Sequence, residues 1–386
     1  MTRQMDALQR KLDERKQEAP ADGAVDSLPG RQEAADAQSA MPANTLSQQD
    51  RLSFSGDMRL RYEHNTGPGV MEVRNRGVIR GRLQGEYALN NQITLGARMV
   101  TGNPDDPNTA DVTLSNFNDD LQVSLDRLFV NGRWAGADFY AGKFPQIFER
   151  TDLVWDGDVN IQGIGAERQF ALGPSTDLTA SSVYFLIDED AVGPDSQMAG
   201  AQLALEHGGF KGGHADLSVG YYDYHIGSLT GADQGDLRSN RTGPDGKYLS
   251  DFRLVDVIAA LSLEPFGGDL PLTFKAEYVK NFGAVDDENS AFAGDIFLRS
   301  TEGPGDWRLR YGYAETETDA VFAAFSNDNI PLATDYRLHT AAFDYALSRA
   351  VSLNLTWYRF RPNSGLSNTT LDEWRDRVRL NLVFGF

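Results

Sequence analysis

The sequence predicts an all-β protein, a 16-stranded antiparallel transmembrane β-barrel over residues 51–386 that follows a short N-terminal extension. Three observations predict it. Apolar and polar residues alternate with a period of two along the chain, short and long connections alternate between these segments, and the composition is rich in glycine and aromatic residues. With 38 Gly, 14 Tyr and 21 Phe among 386 residues, the balance favours short strands and turns over helices.

The final stretch, residues 375–386, shows the alternation most clearly. A period of two over this length predicts a strand, and a terminal strand must pair with another strand. In a soluble sandwich the apolar face would form a core and the polar face would be solvated, so one strand alone leaves that alternative open. The apolar face consists of Val378, Leu380, Leu382, Phe384 and Phe386, and the opposite face contains Arg375, Arg377, Arg379 and Asn381.

Similar segments recur from residue 51 onward. Sixteen is an even number, as a single-chain bacterial barrel should have. The alternation breaks at Phe129 and near Phe343–Tyr345, which indicates bulges or misassigned registers there. The predicted strands are 52–63, 74–89, 93–99, 121–134, 137–145, 160–170, 176–187, 198–208, 213–226, 250–264, 270–281, 290–301, 305–315, 334–346, 350–361 and 374–386.

The connections alternate in length, and this pattern supports a barrel more strongly than the strand count does. Short links occur at 89–92, 134–138, 207–213, 301–305 and 347–351, and longer polar loops lie at 102–120, 144–159, 227–249, 316–333 and 362–373. Short turns on one rim and long loops on the other are typical of transmembrane barrels. Aromatic residues near the strand ends predict an interfacial girdle, namely Tyr62, Tyr87, Trp134, Phe170, Trp307, Trp357 and Tyr358.

Composition excludes several other classes of protein. The formal charge is −20 and the mean hydropathy is −0.43. No stretch approaches the roughly 18 apolar residues of a membrane helix, which leaves a soluble protein or a transmembrane barrel. The absence of cysteine excludes disulfides and thiol chemistry, and the acidic balance argues against nucleic acid as a partner.

Residues 1–50 differ from the rest of the chain. Met5, Leu8 and Leu12 have helical spacing within a predicted helix over 3–18, but two heptads are too few to be stable alone. Residues 19–50 are rich in Ala, Gln, Asp, Ser and Pro and predict a flexible periplasmic linker. No signal peptide is recognisable at the start, so an exported protein would carry this numbering in a processed or re-engineered form.

Residues 141–163 resemble a signature of a bacterial putative-porin family. In that family a Gly-Arg/Lys-Phe-Pro strand end leads into Thr-Asp/Glu-Leu-Val-Trp-Asp and then Asp-x-Asn-x-x-Gly. Here Gly142-Lys-Phe-Pro145, Thr151-Asp-Leu-Val-Trp-Asp156 and Asp158-Val-Asn-Ile-Gln-Gly163 match these elements. The Leu125–Phe129 segment looks like the family's fourth-strand pattern. The terminal Phe384 and Phe386 resemble the closing-strand assembly signal of bacterial outer-membrane barrels.

The resemblance implies a passive diffusion channel for small hydrophilic, mainly charged solutes and ions across a Gram-negative outer membrane. It implies a homotrimer surrounded by outer-membrane lipids and lipopolysaccharide, with the N-terminus in the periplasm. An N-terminal helical stub is also familiar in porin families. The resemblance implies no particular solute, and it leaves pore radius and gating open.

The resemblance also implies a constriction, because the third long-side loop of trimeric porins commonly folds into the lumen, and the loop that joins strands five and six is the third here. Here that loop contains Glu149, Asp152, Asp156 and Asp158, with Arg150 as its one base after the strand end. An acidic loop facing a basic wall would create a transverse field in a narrow pore. The sign of ion selectivity stays open, and the alternative is that the arginines mainly pair with Asp57, Glu63, Glu86 and the loop acids. The predicted basic wall on strands one, two and sixteen is Arg59, Arg61, Arg74, Arg76, Arg80, Arg82, Arg375, Arg377 and Arg379.

Enzymatic and metal-binding alternatives have weak support. The five histidines, His64, His207, His214, His225 and His339, lack an HExxH spacing, and Gly-x-Ser-x-Gly and P-loop motifs are absent. An outer-membrane lipase or protease assembled from distant strands stays open, as do an envelope anchor and a soluble carbohydrate-binding β-protein. No cofactor or metal is predicted. Acidic segments at 105–106, 233–236 and 286–288 could bind Ca²⁺, although solvated loops are the simpler interpretation.

Overall fold

Sixteen long antiparallel strands form one closed sheet in the computed structural model. The structure describes residues 51–386 except 68–72, 105–107, 115–117, 119, 211–212, 229–238, 267–269 and 364–372. The predicted helix and linker of residues 1–50 therefore lie outside the described residues, as do the acidic segments at 105–106 and 233–236. The described part of the chain contains no helix with the length and apolar character of a membrane span.

The strands agree closely with the predicted segments. A two-residue strand, Val112–Thr113, also pairs with Val78 and Ile79, and a 3-10 turn spans Ala323–Phe325. The long strands, numbered in chain order, are Leu52–Thr66 (β1), Arg74–Ala88 (β2), Ile93–Thr101 (β3), Val123–Trp134 (β4), Ala137–Pro145 (β5), Asn160–Gly173 (β6), Thr176–Asp188 (β7), Ser196–Phe210 (β8), Gly213–His225 (β9), Phe252–Leu263 (β10), Leu272–Asn281 (β11), Ser290–Leu298 (β12), Trp307–Thr316 (β13), Tyr336–Ala346 (β14), Val351–Pro362 (β15) and Arg375–Gly385 (β16).

Pairing of the first and last strands closes the sheet into a barrel. Each strand pairs with its neighbour in sequence, and β1 also pairs with β16, with Arg61 opposite Asn381. The predicted 16-stranded barrel is confirmed. The long connections, which share one rim, are L1 (67–73), L2 (102–122), L3 (146–159), L4 (189–195), L5 (226–251), L6 (282–289), L7 (317–335) and L8 (363–374).

The two faces of the strands differ as the alternation predicts. In β16, Leu380 is 42% exposed on the outer surface, whereas its neighbour Arg379 is 4% exposed and points inward. Because the side-chain period of a strand is two, one such pair fixes the direction of every side chain in a regular strand. The outer surface of the barrel is therefore apolar, and the arginines of β16 face the interior.

A β-bulge explains the break at Phe129. The pairing of β3 with β4 passes from Arg98–Arg127 to Met99–Leu125, so Asp126 is the extra residue. Both Asp126 and Arg127 consequently face inward, and the guanidinium of Arg98 donates to Asp126 Oδ2 at 2.5 Å. The bulge prediction is confirmed here, in β4.

Two predictions for the β14–β16 region need correction. The Phe343–Tyr345 segment pairs with β13 and β15 without a register shift, so it contains no bulge. Tyr358 does not belong to an outer aromatic girdle. Its ring lies 5.4 Å from the guanidinium carbon of Arg379, and its hydroxyl bonds to Asn329 of L7, so it faces the interior.

An apolar cluster occupies one side of the interior. L3 and L7 supply its centre, and strands β4 to β12 supply the surrounding wall. Loops rich in buried apolar groups must pack against something, since each buried large side chain contributes about 1.5–3 kcal/mol. The prediction that the 316–333 loop is polar is therefore wrong. Its buried members include Phe129, Phe144, Phe148, Trp155, Ile161, Phe185, Met198, Tyr222, Tyr224, Phe252, Leu254, Phe322 and Phe325.

Candidate functional site: the barrel interior

One end of L3 is attached to β8 and β11. The backbone N–H of Glu149 donates to Gln202 Oε1 at 2.7 Å, and Gln202 Nε2 donates back to the Glu149 carbonyl at 2.8 Å. The hydroxyl of Thr151 donates to Glu277 Oε2. Lys275 Nζ donates to the backbone carbonyl of Arg150 at 3.3 Å. Buried polar anchors of this kind fix one conformation because an unpaired partner would be costly.

The glutamate that anchors L3 also belongs to a buried carboxyl pair. Glu277 and Asp256 are 2% and 1% exposed and lie on neighbouring strands, β11 and β10. The hydroxyl of Tyr222 donates to Asp256 Oδ2 at 3.3 Å, and Gln202 Nε2 donates to that same hydroxyl at 3.2 Å. The first anchor, Gln202, is thus hydrogen-bonded through Tyr222 to Asp256, which lies beside the second anchor, Glu277.

The other end of L3 reaches the opposite part of the wall. Asp158 Oδ1 accepts from Arg82 Nη1 of β2 at 3.2 Å. Asn160, at the junction of L3 and β6, accepts from Arg127 Nε of β4 at 2.6 Å. L3 and its junction with β6 therefore contact β2, β4, β8 and β11, which lie far apart around the barrel.

L3 and L7 pack against each other in the middle. The Trp155 ring stacks on Phe325 with centroids 6.0 Å apart and planes 13° apart, and it meets Tyr222 edge-on at 5.7 Å. The backbone N–H of Asp156 donates to the Phe325 carbonyl at 2.8 Å. Aromatic contacts of these geometries add about 0.5–1.5 kcal/mol each to the burial of the rings.

L7 also contacts the basic side of the interior through Asn329. Its backbone carbonyl accepts from Arg377 Nη1 at 2.6 Å, and its Oδ1 accepts from Arg379 Nη1 at 2.8 Å. Its Nδ2 donates to Asp152 Oδ2 of L3 at 2.8 Å. A neutral amide therefore links the acidic loop to the arginines of β16.

Three arginines share one buried carboxylate. Glu63 is fully buried, and it accepts from Arg76 Nε and Arg379 Nε at 2.8 Å each. Arg377 Nε lies 3.5 Å from the same carboxylate. A buried charge of this kind is tolerated only when it is paired, and here the pairing leaves an excess of positive charge.

Four more arginines lie lower on the same wall, on β1 and β2. Arg59 and Arg61 both bind Asp111 of L2, the second at 2.6 Å. Arg80 and Arg82 both bind Asp57, at 2.9 and 2.6 Å. Among the described residues these four guanidinium groups share the carboxylates of Asp57, Asp111 and Asp158.

The predicted loop residues separate into two groups. Asp152 and Asp158 point toward the arginines, through Asn329 and Arg82. Glu149 is held through its backbone, and Arg150 is buried and donates to the carbonyls of Asp156 and Gly157 at 2.8 and 3.3 Å. Arg150 and Asp156 therefore serve the fold of the loop.

Most predicted wall residues come together, and two lie apart from the clusters. Arg74 is exposed at the beginning of β2, and Arg375 is buried at the long-loop end of β16. Of the predicted acidic partners, Asp57 and Glu63 bind arginines, whereas Glu86 accepts from Gln84 at 2.8 Å. Sequence reasoning missed Asp111 and Asn329. The apolar run from Ala320 to Phe325 was the one available sign that L7 is packed.

Burial and neighbouring charges act in opposite senses on two loop carboxyls. Burial raises the pKa of Asp111, but Arg59 and Arg61 outweigh it and hold the pKa below its ordinary value. Burial raises the pKa of Asp156 well above its ordinary value, and the nearby carboxylates of Asp328, Asp152 and Asp158 raise it further.

The raised pKa of Asp156 predicts a looser L3 at high pH. A carboxyl whose pKa is higher in the folded loop favours that loop when protonated, so its contribution is present at low pH. The contribution is lost as the pH rises from about 4 through the raised value. We expect the current noise of single channels to grow with pH, and D156N to flatten this dependence. The exposed D287N control should follow the unsubstituted protein; equal pH profiles for D156N and the unsubstituted protein would contradict this account.

Metal binding receives no geometric support in the described ranges. No group of three or more His, Asp or Glu side chains there is placed to hold a metal ion. In the 286–288 segment, Asp286 forms an ion pair with Arg241 of L5. The possibility of Ca²⁺ in the loops stays a prediction.

Comparisons with known proteins identify the fold. Residues 68–231 match the sequence model of the family described as "Putative porin", so the resemblance is confirmed over a range that includes both motifs. OprB of Pseudomonas putida, in its high-pH structure, superposes with a TM-score of 0.57 at 10% identity, covering 87% of this chain and 94% of that one. OmpF of Salmonella typhi, in complex with daunomycin, gives 0.54 at 11% identity, covering 88% and 99%. No curated protein sequence matches the chain.

Proposed function

We propose that the chain is an outer-membrane porin, a passive diffusion channel for small hydrophilic and mainly charged solutes and ions. The observation that carries the proposal is a closed 16-strand barrel with an apolar outer surface and charged side chains along one side of its interior. Barrels of this size leave an aqueous channel. The match of residues 68–231 to the porin family model supports the same function.

We further propose that L3 folds inward and narrows the channel. Its contacts with β2, β4, β8 and β11 support this path, because a loop outside the barrel could not bind inward-facing side chains of all four strands. The apolar cluster around Trp155 would close one side of the interior to water. Solutes would then pass between the acidic edge formed by Asp152 and Asp158 and the arginines of β16, β1 and β2.

The proposed surroundings are outer-membrane lipids and lipopolysaccharide. Arg359 and Arg361 flank the buried Phe360 of β15 and so face outward at the long-loop rim. Their guanidinium carbons lie 5.6 and 4.9 Å from the centroid of the Trp374 ring. Cations held over an aromatic ring at a membrane boundary suit the phosphate groups of lipopolysaccharide.

We propose a homotrimer and no enzymatic activity. The trimer rests on the family resemblance. The histidines, which are the usual acid–base groups of enzymes at neutral pH, lie on β1, β8, β9 and β14 without a shared site. We also propose that the N-terminal segment 1–50 lies in the periplasm.

Planar-bilayer recording tests the proposed function directly. Purified folded protein should insert as stepwise ohmic channels, in multiples of three if the assembly is a trimer. Complete absence of conductance from protein whose folded barrel is verified by circular dichroism would overturn the channel assignment. It would favour the alternatives of an anchor or an outer-membrane enzyme, while the fold would stand.

A further inference from the structure

Arg59 and Arg80 form an unusual pair in the interior. They are directly opposite each other on β1 and β2, and their side chains are 16% and 11% exposed. Opposed like charges on neighbouring strands are destabilising, so such a pair needs compensation from elsewhere. It receives only part of that compensation from the side chains around it.

Each of these guanidinium groups donates hydrogen bonds to the protein through one nitrogen only, among the described residues. Arg59 Nη2 binds Asp111, and Arg80 Nη2 binds Asp57 at 2.9 Å. Among the described residues, Nε of both arginines is buried without a hydrogen-bond partner. A planar guanidinium offers five N–H donors, and a solute cannot reach the buried Nε. Nη1 of each group has no hydrogen-bond partner among the described residues and is not buried, so it is the donor left for an additional acceptor.

The neighbouring arginines are better satisfied. Arg61 binds Asn381 Oδ1 at 2.7 Å as well as Asp111, and Arg82 binds both Asp57 and Asp158. Four guanidinium groups face three carboxylates here, which leaves one positive charge without a partner carboxylate. Asp57 and Asp158 balance Arg80 and Arg82, so the unmatched charge lies with Arg59 and Arg61, which share Asp111. Arg61 and Arg82 have two acceptors each, whereas Arg59 and Arg80 have one each.

We propose that Arg59 and Arg80 together form a binding site for the oxyanion group of a passing solute, a carboxylate or a phosphate. This inference rests on the proposed channel function and deepens it by naming the class of solute. Guanidinium groups bind such groups with paired, charge-assisted hydrogen bonds, which neither chloride nor a sugar hydroxyl can reproduce. The channel therefore favours anions, and its current saturates with oxyanions because each one stays bound briefly before it leaves.

The arginines of β16 differ from this pair in one respect. Arg377 and Arg379 already bind the carbonyl oxygens of Asn329, so a neutral group of the protein occupies the acceptor position there. No described side chain does the same for the unused donors of Arg59 and Arg80. At Arg59 and Arg80, therefore, a solute oxyanion accepts the hydrogen bonds that no group of the protein accepts.

The test is block of the chloride current by inorganic phosphate in planar bilayers. In a KCl gradient the reversal potential of the unsubstituted channel should show anion preference, and phosphate should reduce the current with a saturable dependence. In R59Q/R80Q the half-blocking concentration should rise by about tenfold or more, since a hydrogen bond to a charged group contributes about 1.5–3 kcal/mol. Succinate in place of phosphate tests the carboxylate form.

Two further variants separate a local site from general charge. Arg310 is an inward-facing arginine of β13 paired one-to-one with Asp295 at 2.7 Å, so R310Q removes a lumen charge and should leave block unchanged. R80K keeps the charge and the ion pair with Asp57 but loses the planar fork, so block should weaken at an unchanged reversal potential. R80K also covers the case in which R59Q/R80Q does not fold.

The outcomes are distinct. Cation preference, or equal phosphate block in the unsubstituted, R80K and R59Q/R80Q channels, would overturn the oxyanion site while leaving the channel function intact. Equal weakening by R310Q would also overturn it, because long-range charge would then explain the block. Protein that folds and never conducts would instead overturn the proposed function.

Discussion

Replacing Trp155 with Ala should raise the single-channel conductance and destabilise the folded protein. The ring is 1% exposed at the centre of the cluster that joins L3 to L7, where it meets Phe325 and Tyr222. Removing a buried Trp costs about 3–5 kcal/mol because a cavity replaces its packing. L3 would lose its contact with L7, and water and ions would enter the side of the interior that the apolar cluster closes, which raises the conductance. Conductance in planar bilayers and unfolding by heat in detergent measure the two effects.

The matched control for this variant is Trp134. It is the last residue of β4, lies at the short-turn rim, and is 76% exposed. W134A removes the same atoms without opening a packed cluster, so its conductance should equal that of the unsubstituted protein. If W155A and W134A had the same conductance and the same unfolding temperature, the interior cluster would not hold L3.

Replacing Glu63 with Ala should produce the largest loss of stability of any single charged residue on the basic wall. Glu63 is the shared carboxylate of Arg76, Arg377 and Arg379, and it is fully buried. Truncating one member of a buried ion pair costs about 3–5 kcal/mol because the partner charges stay buried without compensation. Urea unfolding in detergent should show this loss as a lower midpoint.

Two further variants test whether charge is the cause. E302A removes an exposed glutamate of the β12–β13 turn and should change the midpoint little. E63A/R377A removes one of the uncompensated arginines as well and should recover part of the stability, because the two residues share one network. An E63A midpoint equal to that of E302A would show that the arginines are hydrated rather than dependent on Glu63.

The barrel could be predicted from the sequence because its evidence is local. Alternation within β16 fixes which residues face inward, and the break at Phe129 revealed a bulge whose extra residue is Asp126. Both signals lie within a dozen neighbouring residues. The order of short and long connections then fixed the rims without any knowledge of three-dimensional contacts.

The interior could be predicted only in part, because its contacts join residues distant in sequence. The arginines of β1, β2 and β16 were expected on one wall, and closure of the barrel brings them together. No feature of the sequence near Glu63 indicates that it forms an ion pair with Arg379, which is 316 positions away. The contact of Asn329 with β16 was equally invisible, since it depends on how L7 enters the barrel.

The packing of L3 against L7 has a consequence for the order of assembly. These loops come from opposite halves of the chain, and their aromatic residues meet only after β5 to β13 have formed a curved open sheet. The β1–β16 seam lies across the barrel from this cluster, on the side where the charged groups are. The apolar contents can therefore be assembled while the seam is still open. The final pairing of β1 with β16 would then close a barrel whose apolar interior is already packed, and the ion pairs of Arg377 and Arg379 with Glu63, which cross this seam, would form last.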